Sequence, residues 1–89
     1  MTDILINDIG LALKYSIVDE QDAKDLARHV SISPNLLCFE VGDETRYFVL
    51  GDYFIDGNGI RGRRCYGKQA TLVDIDDTFA RNQMMVVAL

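Results

Sequence analysis

The spacing of apolar residues changes once along this chain, near Pro34. Before that point Leu5, Ile9, Ala12, Leu13, Ser16 and Ile17 recur at intervals of three and four. Ala23, Leu26, Ala27 and Val30 do the same. Residues so spaced share one face of an α-helix, so two short N-terminal helices are expected. Thr2 or Asp3 is placed to cap the first, and Asp19 the second. Glu20 and Asp22 fall in the second helix's first turn, where the dipole favours anions, and Arg28 and His29 fall in its last turn, where it favours cations. Ser33, Pro34 and Asn35 read as the turn that ends the helical part.

Beyond Pro34 the pattern is extended. Segments 36–41, 46–55 and 60–66 are rich in β-branched and aromatic residues. Gly42, Asp43 and Glu44 separate the first two, and Asp56 to Gly59 separate the second and third. Both separators have hairpin chemistry, because Gly and Asn supply the positive φ that tight turns require. Two further extended runs, 71–75 and 83–89, follow around a turn or short helix at 77–82. The last run is uniformly apolar from Met84, which fits a buried strand or a helix end.

Hairpin pairing sorts the side chains by face. A turn centred on Asp43 and Glu44 pairs Val41 with Arg46, Phe39 with Phe48 and Leu37 with Leu50. One centred on Gly57 and Asn58 pairs Ile55 with Ile60, Tyr53 with Gly62, Asp52 with Arg63 and Leu50 with Cys65. One face then holds Leu37, Phe39, Val41, Phe48, Leu50, Phe54 and Cys65, the side the helices should cover. The other holds Leu36, Cys38, Tyr47, Val49, Tyr53, Ile55, Ile60 and Tyr66, with Glu40 and Arg64. A face left to water should be polar, so three tyrosines among aliphatics need a cover. That cover is either the C-terminal segment or another protein. Cys38 and Cys65 point to opposite faces, so no intrachain disulfide is expected. The fold class expected is α+β, with two N-terminal helices packed on an antiparallel sheet of four to five strands. Residues 1–89 form one domain, a helical hairpin at 1–33 and the sheet at 34–89.

Composition bounds this picture without changing it. The 89 residues are 48% hydrophobic and 26% charged with a single Pro, the profile of a globular domain. A stability of roughly 4–13 kcal/mol is ordinary at this length. The first eight residues lack the positive and long apolar regions of a signal peptide, and no apolar run approaches the ~18–20 residues of a membrane span. A cytoplasmic location is expected, with both cysteines as reduced, buried hydrophobes.

Charge does change it. Arg61, Arg63, Arg64 and Lys68 are four of only nine Lys and Arg residues, yet the chain's net charge is -5. A basic strip on an acidic body concerns partners more than fold. The arginines suit cross-strand ion pairs, Arg63 with Asp52 and Arg61 with Asp56. They also suit an anionic ligand, with Tyr53 and Tyr66 as stacking platforms for nucleic-acid bases. A pI near 4.6 and the lack of any nucleic-acid-binding signature make nucleic acid the second reading.

Catalytic and metal chemistry find little support. Asp56 to Gly59 resembles the middle of a calcium loop, but Phe54 and Cys65 stand where its end ligands belong. Asp74, Asp76 and Asp77 cluster without a His or further ligand. His29 is the one imidazole and has no positioned nucleophile. Gly57, Gly59 and Gly62 match Gly-x-Gly-x-x-Gly, but inside a hairpin and not between strand and helix. No enzyme activity, metal or cofactor is expected. The expected function is that of a small acidic protein-binding protein: an inhibitor, adaptor or accessory subunit. Compact acidic chains of this general type serve phages and mobile elements as inhibitors of host defence complexes such as CRISPR effectors. Its partner-binding residues would be Arg61, Arg63, Arg64, Lys68, Tyr47, Tyr53 and Tyr66, with the acidic side of the second helix, Asp19, Glu20, Asp22 and Asp25. A homodimer through strand 60–66 or the C-terminal strand is a related expectation, and no membrane partner is expected.

Overall fold

The computed structural model describes residues 4–31 and 35–88. The caps proposed at Thr2 and Asp3, and the turn residues Ser33 and Pro34, lie outside them. The chain runs β1 (Ile4–Ile6), α1 (Ile9–Tyr15), α2 (Glu20–Val30), β2 (Asn35–Val41), β3 (Glu44–Ile55), β4 (Arg61–Tyr66), β5 (Leu72–Asp76), α3 (Asp77–Gln83) and β6 (Met84–Ala88). One six-stranded sheet has the order β1-β5-β4-β3-β2-β6. It is mixed, because β1 lies parallel to β5 while every other pair is antiparallel. The expected antiparallel sheet of four or five strands is corrected accordingly.

The described part of the expected helical hairpin, residues 4–31, instead holds a strand followed by two helices. Ile4 to Ile6, read above as the opening of a helix, pairs with Val73 to Ile75. Three consecutive apolar residues carry no period, and a neighbouring strand offers them more burial than a helix end does. The first helix therefore starts late, capped by Asp8, whose carboxylate accepts from the Leu11 amide at 2.8 Å. Asp19 caps α2 as expected, accepting from the Asp22 amide at 3.0 Å.

The two N-terminal helices lie on opposite faces of the sheet, which also departs from expectation. The crossing has a visible cause. Ser16 to Val18 passes the end of the sheet, where Ile17 and Tyr47 exchange two backbone hydrogen bonds of 2.9 Å. Arg46 pins the α1 side of this crossing, donating to the Leu13 carbonyl and the buried Ser16 hydroxyl at 3.0 Å each. Two hydrophobic layers result. One packs Ile6, Ala12, Leu37, Phe39, Phe48, Leu50, Cys65, Val73 and Ile75 with Phe79 of the third helix. Phe39 stacks on Phe48 at 5.9 Å and meets Phe79 edge-on at 6.2 Å. The other sets Ala23 and Ala27 of α2 on Leu36, Val49, Tyr47 and Tyr66. The tyrosine-bearing face is thus covered in part by α2. The C-terminal segment instead becomes edge strand β6, paired with β2.

Register follows the turns. The β2–β3 turn is tighter than expected, with Gly42 at φ 62 as its first central residue, so Val41 faces Glu44 and Leu37 faces Phe48. A shift of two positions leaves each side chain on its assigned face. In the β3–β4 hairpin Leu50 does face Cys65, but a bulge between Leu50 and Tyr53 sets Tyr53 opposite Arg63. The Asp52–Arg63 pairing is thereby corrected. Cys65 belongs to the first layer and Cys38 alternates with Leu37 and Phe39, so the thiols face opposite sides, and both are free. No described helix is long and apolar enough to cross a membrane.

Candidate functional site

The β3 bulge creates the site. Gly51 and Asp52 together oppose the single residue Arg64, and a Cβ on Gly51 would stand 2.9 Å from the Arg64 carbonyl oxygen. Only a residue without a side chain lets the two strands close there. Beside the bulge, where α2 ends at Val30 and Ser31, a cleft of about 470 Å³ opens. Tyr53, Arg63, Arg64 and Tyr66 all line it. Four of the residues proposed from sequence for partner binding are thus brought together.

Arg63 is held in place. Its Nε donates to the Gly51 carbonyl at 2.7 Å, and its guanidinium lies 4.2 Å from the centre of the Tyr53 ring. Tyr53 is 75% exposed, so this stack stands at the mouth of the cleft. A guanidinium fixed by its Nε and by a ring face keeps its outer N–H fork for an incoming oxyanion. Within the described residues Arg63 has no carboxylate partner. Arg64, next to it, lies 3.9 Å from Asp74, a pairing the sequence reading did not include. Ser31 adds a hydroxyl that donates to the Leu50 carbonyl at 3.3 Å. Ser31 and the bulge were both missed from sequence. The isolated Gly51 inside an extended run was the available signal for the bulge.

The remaining candidates disperse. Arg61 lines a separate depression with Asp76, Asp77 and Arg81. Asp56 does not serve it as an expected ion-pair partner; its carboxylate instead accepts from the Asn58 and Ile60 amides at 2.8 and 2.9 Å, building the turn. Lys68 stands on a third groove with Asp19 and Asp22. Glu20 approaches Lys24 at 3.9 Å, and Asp25 pairs with Arg28 at 2.7 Å. Tyr47 is half-buried under α2; burial, and then the Glu20 carboxylate, raises its phenol above the ordinary value of 10.0.

The acidic residues near the third helix are also employed separately. Asp76 caps it through the Phe79 amide at 2.8 Å, while Asp77 lies 3.5 Å from Arg81. Among the described residues no three His, Cys, Asp or Glu side chains converge. Burial pushes the Cys65 thiol up to about 12 from the ordinary 9.0, and burial with Glu40 nearby raises Cys38 too. A nucleophilic thiol needs the opposite shift. What the cleft can do chemically is hold an anion against the Arg63 guanidinium, with Arg64 adding positive charge beside it, and a flat apolar group against Tyr66. No family model, curated protein or solved structure matches this chain.

Proposed function

We propose that this chain is a small non-enzymatic cytoplasmic binding protein, an inhibitor, adaptor or accessory subunit, whose cleft takes an acidic segment of a protein partner. The observation that carries this is the Arg63 guanidinium stacked on exposed Tyr53, with Arg64 beside it and no described carboxylate paired to Arg63. A carboxylate meets such a fork in bidentate fashion, and Arg and Tyr are the residue types enriched where interfaces concentrate their energy. The surrounding charge favours a ligand with few negative groups. A chain of net charge -5 repels a phosphate backbone at long range, and the four cations of the basic segment are divided among three depressions.

A second reading has its own support. Tyr53 and Tyr66 line the same cleft as both arginines, the combination that grips single-stranded nucleic acid by stacking.

Fluorescence anisotropy with a labelled, otherwise neutral peptide carrying a pair of glutamates and a labelled single-stranded oligonucleotide, at low and physiological salt, separates the two. Saturable peptide binding is expected, weakened at least about tenfold by Arg63→Glu with Arg64→Glu. Arg63→Lys keeps the charge but loses the fork and the stack, and is expected to weaken it by a smaller factor. Circular dichroism of each variant secures the fold. Oligonucleotide binding whose logarithm falls steeply with log salt would transfer the cleft to nucleic acid. If neither probe binds, the cleft is not the working surface.

A further inference from the structure

At the opposite end of α2 lies a groove of about 430 Å³ whose lining is mostly apolar. Leu26 and Ala70 contribute to its lining and Val18, 52% exposed, belongs to it too. Asp19 and Asp22 form the α2 bank, and Lys68 stands across from them. The Asp22 carboxylate makes no ion pair with a described residue. The far bank is a 3-10 turn, Lys68–Ala70, whose Gln69 and Ala70 sit at φ 58 and 59. Two successive non-glycine residues in the left-handed region are strained, and strain of this kind gathers at ligand clamps. Here it is held by the Thr71 hydroxyl and the Ala70 and Thr71 amides, which bond back to Lys68 and Gly67.

We infer that this groove is a second docking site, taking an apolar side chain that is flanked by Lys or Arg in a peptide segment of a protein partner. Apolar area at an exposed groove supplies the anchor, as in the pockets that hold interface hot spots. The sign of the flanking charge follows from the α2 bank, where the Asp19 and Asp22 carboxylates line the groove against one Lys68. Their field already reaches Tyr47, whose phenol is raised in part by Glu20 and Asp19. An acidic flank would be repelled there. The site goes beyond the arginine cleft and does not depend on it: the two lie at opposite ends of a helix about 16 Å long and have opposite sign. A partner that engages both would present a basic apolar segment at one end of α2 and an acidic one at the other.

The test is a 1H–15N correlation titration with three capped tripeptides: arginyl-leucyl-arginine, glutamyl-leucyl-glutamate and arginyl-seryl-arginine. Saturable shifts of the Val18, Leu26 and Ala70 amides are expected with the first, and at least about fivefold weaker binding with the other two. Asp22→Lys should weaken the first by about fivefold as well. Val18→Ser, at an exposed position, gives an independent loss of the apolar contact should Asp22→Lys perturb the helix. Equal binding of the glutamyl and arginyl peptides, shifts located elsewhere, or no response to both substitutions overturns the inference. Shifts at Tyr53 and Arg63 with the glutamyl peptide report on the other cleft alone, so the two sites fail or stand separately.

Discussion

Gly67→Ala should cost about 3 kcal/mol or more, a large share of the roughly 4–13 kcal/mol that a domain of this length commands. Gly67 lies where the chain leaves β4 and where the segment after α1 crosses the end of the sheet. A Cβ there would collide with the Tyr15 carbonyl oxygen and press on the Phe48 ring at 3.1 Å. The first obstacle is backbone, tied to Arg46 and to the Ile17–Tyr47 bridge, so it cannot step aside as a flexible side chain would. Gly62→Ala should be at least as damaging, since its Cβ would meet the Ile75 carbonyl and press on the Phe54 ring at 2.7 Å. Gly57→Ala is the control: nothing lies within 4 Å of a Cβ there, and a slight stabilisation of about 0.4–1 kcal/mol is expected. Urea unfolding of the three variants measures this. A Gly67→Ala midpoint equal to that of Gly57→Ala would mean the crossing does not pass as described.

That crossing also explains what the sequence could and could not say. Strands β2 to β5 were legible because alternation, turn glycines and aromatic content agreed over each of them, whereas 77–82 read as either a turn or a short helix and is α3. Leu37, Phe39, Phe48, Leu50 and Cys65 fell on the right face even where the hairpin register was off by two, since a shift of two preserves facing. What failed was non-local. Whether α2 joins α1 or passes to the other face depends on Ile17 finding Tyr47, thirty positions away, and no local pattern encodes that pairing. Likewise Ile4 to Ile6 becomes a strand only because β5 offers a parallel edge. At the candidate site, the sequence supplied Arg63, Arg64, Tyr53 and Tyr66 as residue types. The Gly51 bulge determined which of them meet, by moving Tyr53, not Asp52, opposite Arg63. The homodimer route expected through strand 60–66 has no edge to use, because β4 is interior, flanked by β3 and β5. The free edges of the described sheet are β1 and β6.

The stability of this protein should fall through alkaline pH, and Cys65 should be a main cause. Its thiol is fully buried within the first hydrophobic layer, and burial raises its pKa from 9.0 to about 12. Between those values the unfolded chain has lost the proton and the folded chain keeps it. The native state therefore binds more protons than the unfolded state, and stability decreases as pH rises. The contribution is complete below pH 9 and is lost at about 1.4 kcal/mol per pH unit above it, a loss of about 4 kcal/mol by pH 12. Cys38 and Tyr47 are raised by burial as well, so they add a loss of the same sign. Urea unfolding of the parent chain and of Cys65→Ala at pH 7, 9 and 10.5 tests this. The variant gives up packing at neutral pH, yet its stability should decline less steeply above pH 9. Identical slopes for both proteins would show that the Cys65 thiol reaches water in the folded state, contrary to its buried place between its cross-strand partners Leu50 and Val73. The outcome bears on function too, because a thiol that holds its proton to that pH is a packing element, which leaves the chemistry of this chain to its surface clefts.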